Sequence, residues 1–269
     1  MPFFETSRGK FFYLENGNSG PVVYLLHGLT AKCQDWGDTP RSLVEAGFHV
    51  FSFDMRGHGQ SVKPESGFTP EDYAADVEAW AQALGHAKLH VVGHSTGGRN
   101  ALTFAAFFPW RALTLTVIDQ TFKADPESWK KYKNRFAEYP APFADEKSLE
   151  EFLKRKFPGD KLRFDYFKGQ FAKREDGRWD WNFSPFAAYE TQRLGRMKDA
   201  FDWLPMVKCP ALFIKGGDSV YVPMEEAKKI ESLLPRGKLA VVEKAEHAVF
   251  RDNPRGFLAV LLPFLKSRS

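Results

Sequence analysis

The chain has 269 residues, 43% of them hydrophobic and 27% charged, and carries a formal net charge of +4. That balance belongs to a soluble globular protein with a substantial core, while the charge is too slight and too scattered to argue for a nucleic-acid partner. The two cysteines, Cys33 and Cys209, give neither a disulfide framework nor metal-ligand spacing, Met1 to Glu5 carry no basic leader, and no apolar run nears the roughly 18 residues of a membrane span, so the expected chain is cytoplasmic, off the membrane and free of metal.

Taken in order, Lys10 to Glu15 and Pro21 to Leu26 read as early strands joined by the turn-forming Asn16-Gly17-Asn18-Ser19-Gly20. Val22 to Leu26 is apolar on both faces, as in a covered parallel sheet, and runs into His27-Gly28-Leu29-Thr30. A helix beyond Trp36 takes Asp38, Thr39 and Pro40 as its start and Gly47 as its stop. His49 to Phe53 is the next strand, ending in Asp54-Met55-Arg56-Gly57-His58-Gly59-Gln60-Ser61. Thr69-Pro70-Glu71-Asp72 opens a helix to about Leu84. Leu89 to Gly98 then reads as a buried strand, a Gly-x-Ser-x-Gly turn centred on Ser95 and the start of an apolar helix. Strand Leu113 to Ile118 follows and ends at Asp119.

From about Gln120 to Pro205 the pattern changes to aromatics and charges, with helical periodicity at Ser148 to Lys156 and no buried strand. Alternation resumes with strand Ala211 to Lys215, helix Met224 to Leu234, strand Lys238 to Val242 and a closing helix from about Pro254 to Leu265. Strands alternating with helices imply parallel β-α-β units and right-handed crossovers. The expected fold is therefore α/β: a mostly parallel sheet with helices on both faces, formed by residues 1–119 and 206–269, and a mainly helical lid at 120–205 inserted after the sixth strand. The lid's aromatics read mainly as its own small core, with a few facing a pocket beneath.

Three loop motifs carry a resemblance over nearly the whole chain: His27-Gly28, Asp54-x-Arg56-Gly57-x-Gly59-x-Ser61 and Gly93-His94-Ser95-Thr96-Gly97, with His247 in the loop after the last strand. The sequence resembles the α/β-hydrolase fold family, and within it the small capped serine esterases. That likeness implies a serine hydrolase without a cofactor. It also places the three motifs after the family's third, fourth and fifth strands.

The residues reach the same chemistry. A serine hydroxyl needs a base within hydrogen-bond reach. Of seven histidines only His247 follows Ser95, as the nucleophile–acid–histidine order of this fold requires. His94 is turned from the hydroxyl by the elbow and is assigned to packing; His49 and His90 are assigned to structure, and His58 to a scaffold loop. The developing oxyanion needs preorganised donors: the backbone N–H of Thr96, at a helix N-terminus, and that of Leu29, after His27-Gly28. Trp36 and Thr30 are lesser candidates for the pocket wall.

Two aspartates compete for the third place. Asp218 lies in the usual loop, after the seventh strand, but counting back three from Val222-Pro223 lands on Ser219, and an offset of one redirects a side chain. Asp119 ends the sixth strand on the same edge as Ser95, and the capped esterases can take their acid there, so Asp119 is favoured over Asp218. Serine, rather than aspartate, at the elbow argues against halide displacement and epoxide opening. The leading expectation is hydrolysis of modest, uncharged carboxylic esters by Ser95, His247 and Asp119 through an acyl-enzyme, with a small-molecule ester as the partner. Carbon–carbon, amide or lactone hydrolysis, perhydrolysis, and a ligand receptor with weak hydrolase activity remain open beside it.

Overall fold

Eight strands share one sheet in the computed structural model, which describes residues 3–268, so that Met1, Pro2 and Ser269 lie outside it. The chain runs β1 (Phe3–Thr6), β2 (Gly9–Asn16), β3 (Val22–Leu26), α1 (Thr39–Glu45), β4 (His49–Phe53), α2 (Pro70–Ala83), β5 (Leu89–His94), α3 (Thr96–Phe107) and β6 (Ala112–Ile118). The next segment holds α4 (Ser128–Ala137), α5 (Glu146–Lys156), α6 (Lys161–Lys168), β7 (Phe171–Lys173), β8 (Trp179–Trp181) and α7 (Pro185–Gly195). The sheet then resumes with β9 (Ala211–Gly216), α8 (Met224–Leu233), β10 (Gly237–Val242), α9 (Val249–Asp252) and α10 (Pro254–Lys266). Sheet order is β1-β2-β4-β3-β5-β6-β9-β10, parallel throughout except where β2 pairs with β1 and β4. Among the described residues no helix is long and apolar enough to cross a membrane.

The period-two alternation of strand side chains sorts the core onto two faces. Val23 and Leu25 point with Val92, Ile118 and Ile214 against Leu43 of α1 and Phe257, Leu261 and Leu265 of α10. Tyr24 and Leu26 point the other way, with Val91, Leu115 and Phe213, against Trp80 of α2, Leu102 and Phe104 of α3 and Ile230 of α8. Each such side chain contributes about 1.5–3 kcal/mol when fully buried. The helices start where local chemistry starts them. Thr69 caps α2 by accepting from the Asp72 N–H at 3.2 Å, with Pro70 at the first helical position; Asn253 caps α10 through the Gly256 N–H at 2.9 Å, ahead of Pro254.

Two elements escape the sequence pattern. β1 is a four-residue edge strand, paired antiparallel with β2 through a turn at Ser7-Arg8, too short to show alternation. The segment between β6 and β9 contains strands after all: β7 and β8, three residues each, form a ribbon closed near Gly177, whose φ is 86°. This segment packs around Phe136, Tyr139, Phe143, Leu149, Leu153 and Trp181. It is tied to α2 by Tyr73 Oη–Thr191 Oγ1 at 2.7 Å, and to the loops after β4 and β3 by the Ser184 N–H on Gly57 O at 2.7 Å and the Lys32 ammonium on Gly169 O at 2.9 Å.

Candidate active site

Ser95 stands at the junction of β5 and α3 with φ 52° and ψ −125°, a conformation that L-residues reach only under strain. Neighbouring glycines make room for it. A Cβ on Gly93 would come within 2.1 Å of Gly97 O, and one on Gly97 within 2.2 Å of Leu26 O. Asp119, one residue past β6, is also in the left-handed region at φ 45°. His247 lies on the loop after β10, three residues past Lys244, whose φ is 54°.

Asp119 is fully buried, and its Oδ2 accepts from His247 Nδ1 at 2.7 Å. A carboxylate at Nδ1 keeps the proton there and leaves the Nε2 lone pair for a reacting group. Asp119 is itself held: Ser219 Oγ donates to Oδ2 at 2.6 Å, and the Gly216 N–H reaches Oδ1 at 3.3 Å. Asp218 is exposed, its backbone N–H bonded to Ala245 O at 3.0 Å. The structure thus brings Asp119, and not Asp218, to the histidine.

Ser95 and His247 share a cavity of about 200 Å³ walled in part by Leu29, Trp36, Tyr221 and Phe250. Thr96 contributes the first amide of α3, and neither that N–H nor the N–H of Leu29 has a protein acceptor among the described residues. The Thr96 side chain faces away from this cavity, where its Oγ1 accepts from Gln192 Nε2 at 3.3 Å.

The loop bearing Leu29 is pinned by two buried neutral histidines. His27 donates from Nδ1 to Gly28 O at 2.7 Å and accepts the Met55 N–H at Nε2 at 3.1 Å; burial pushes its pKa down to about 4. His58 donates to Arg56 O at 2.9 Å and accepts the Thr30 N–H at 3.2 Å, and burial takes it to about 3. The rest of the Asp54–Ser61 motif is scaffold: Asp54 accepts from Cys33 N–H at 2.8 Å, and Arg56 Nε pairs with Asp76 at 2.5 Å.

His94 does more than the packing expected of it. Its ring walls the cavity 4.7 Å from the His247 ring, and its Nε2 donates to the His247 carbonyl at 2.9 Å, bracing the histidine loop. Of the lid aromatics, Tyr132 of α4 and Tyr166 of α6 are the ones that face the cavity, while Arg135 of α4, Tyr221 and Arg251 in its wall are residues that sequence reasoning missed. Proximity to His247 marks Arg251; nothing in the sequence marks the face that α4 turns downward. No three His, Cys, Asp or Glu side chains converge as a metal-ligand group among the described residues.

Comparison with known proteins agrees with this architecture. The chain is similar to 2-(acetamidomethylene)succinate hydrolase of Mesorhizobium japonicum, with 29% identity over 92% of this chain and 88% of that one. It is similar to a bifunctional esterase/perhydrolase of Acinetobacter calcoaceticus, with 24% identity over 99% and 100% of the two chains. The crystal structure of E-2-(acetamidomethylene)succinate hydrolase superposes with a TM-score of 0.82 at 28% identity, covering 98% of each chain. Residues 21–254 match the model of the alpha/beta hydrolase fold, and the chain belongs to that family.

Proposed function

We propose that this protein is a serine hydrolase that cleaves carboxylic esters through an acyl-enzyme. The observation that carries the reading is the Asp119–His247 hydrogen bond at the cavity that also holds Ser95 on its strained turn. In this reading Ser95 Oγ attacks the ester carbonyl while His247 Nε2 takes its proton. Asp119 stabilises the imidazolium. The N–H groups of Leu29 and Thr96 bind the oxyanion, a contribution on the order of 10²–10³-fold in rate per donor. Collapse of the intermediate returns the proton from His247 to the departing alcohol. Water, deprotonated by His247, then attacks the acyl-serine and releases the carboxylic acid. Residues 120–205 act as the cap over the cavity.

A second reading, hydrolysis of an amide by the same groups, is favoured by the likeness to a relative named for an acetamido compound. A fluorophosphonate probe with panels of aryl esters and matched amides tests both. Labelling confined to Ser95, with esters turned over faster than amides, is expected. Faster amide turnover would move the assignment to the second reading, and turnover without Ser95 would end both.

A further inference from the structure

The cavity wall has an electrostatic character that a neutral ester does not use. Arg135, on α4, and Arg251, on α9, both line it. Most of the arginines elsewhere are spoken for: Arg8, Arg56, Arg111, Arg174 and Arg193, for example, all have carboxylate partners. Among the described residues neither Arg135 nor Arg251 has an ion pair or a side-chain hydrogen bond. Each instead lies against a tyrosine of the same wall, Arg135 at 5.8 Å from the Tyr132 ring centre and Arg251 at 5.8 Å from that of Tyr166. A guanidinium held on an aromatic face keeps its edge N–H groups free, and that planar edge matches a carboxylate. One carboxylate shares the wall, Asp35: it accepts the Lys32 N–H at 3.0 Å and feels the charge of Arg251, but the two form no ion pair within 4.0 Å, so the guanidinium edge is left for a ligand. At about 200 Å³ the cavity is smaller than the ~300–1,000 Å³ of drug-sized pockets, which selects short substrates.

We infer that the substrate carries a carboxylate, held at the cavity wall between Arg135 and Arg251 while its scissile carbonyl lies against Ser95. The inference rests on the serine-hydrolase reading above and replaces the uncharged ester expected from the sequence. Because Arg135 comes from the inserted segment and Arg251 from the helix after the His247 loop, one bound anion also bridges the two.

Matched substrates test it. On the acyl side, 4-nitrophenyl hydrogen glutarate is compared with 4-nitrophenyl pentanoate; on the leaving-group side, 4-acetoxybenzoate with 4-methylphenyl acetate. The wild type is expected to favour the anion in one pair by about tenfold or more in kcat/KM, through KM, and that pair identifies the side that carries the charge. The preference should shrink with added salt, because both arginines are exposed residues. In the Arg135→Gln/Arg251→Gln double variant the anion-to-neutral ratio should fall by about the same factor. No anionic preference in either pair, or a ratio unmoved in the double variant, overturns the inference while Ser95-dependent ester turnover stands. A binding arm is independent of turnover: glutarate titrated against the tryptophan fluorescence should bind the wild type and bind the double variant about tenfold more weakly. Absent binding, or equal binding to both, overturns the inference, whereas failure of fluorophosphonate to label Ser95 counts against the hydrolase reading.

Discussion

The strands around Ser95 and the segment joining β6 to β9 differ in what fills them. Every residue of β5 and β9 is buried, and their apolar side chains meet helices on both faces. In the joining segment α6 buries none of its residues, and α5 buries only Leu149 and Leu153. Its outer faces are lined with charge pairs such as Lys154–Glu150 at 3.5 Å and Lys161–Asp165 at 2.6 Å, which contribute little stability each. Its interior is a cluster of aromatic rings. The difference teaches where each task can sit. Strained turns such as those at Ser95 and Asp119 persist only where the surroundings over-determine them, and the sheet supplies that. In the proposed reading, the aromatic segment is the part that selects and covers the substrate.

The sharpest way to break this comparison is at the turn itself. Ser95→Ala should lower kcat by on the order of 10⁴-fold or more and abolish fluorophosphonate labelling, with circular dichroism and melting unchanged, because only a hydroxyl is lost. Residual turnover above about a tenth of wild type would point to another nucleophile. Asp119→Asn comes next, with a loss on the order of 10⁴-fold in kcat from the disturbed histidine tautomer. Asp218→Asn, whose side chain is exposed, should stay within about threefold. The reverse ranking in steady-state kinetics would move the acid to the loop after β9.

The joining segment should respond differently. Leu149→Ala removes a fully buried side chain there, at a cost of about 2–5 kcal/mol. Hydrogen exchange should show the loss in residues 128–195, with protection in β5 and β6 retained. Uniform loss of protection across the sheet would show that the two regions unfold as one. A further effect, spread over the whole fold, is set by pH. His27 and His58 are neutral in the fold, at about 4 and about 3, and return to ordinary values in the unfolded chain. Below about pH 6.5 the unfolded chain therefore binds protons that the folded one refuses, so stability is full above that pH and falls towards about pH 4. His27 alone accounts for about 3 kcal/mol of this loss. Urea midpoints at about pH 7 and about pH 4.5 check the sign; equal midpoints would mean that these histidines take up protons without unfolding.

What was legible in the sequence follows the same division. β3, β4, β5 and β9 announce themselves because strands covered on both faces must be apolar throughout, and the Gly93–Gly97 spacing reports a steric need. The preference for Asp119 rests on the likeness to capped esterases, with counting only weakening Asp218: the place three before Val222-Pro223 is Ser219, and in the structure that hydroxyl donates to Asp119. β1 and the β7–β8 ribbon were too short to register as alternation. His94 packs as expected, against Phe250, but adjacency to Ser95 says nothing about a loop 153 residues away, where its Nε2 finds the His247 carbonyl. The cavity faces of α4 and α6 depend on how a segment with few buried anchors is laid down. Helical periodicity does not reveal that.

With Asp119, and not Asp218, bonded to His247, the loop after β9 is available as a chemical handle. Ser219 points inward to Asp119 and Tyr221 walls the cavity, yet Val220 between them is 97% exposed. Both native thiols, Cys33 and Cys209, are buried, and burial raises their pKa. A Val220→Cys variant should therefore take up a single maleimide fluorophore, one residue from the hydroxyl that holds Asp119 and one from the ring that faces the cavity. Such a dye would report ligand entry optically, from a position that the chemistry itself does not occupy.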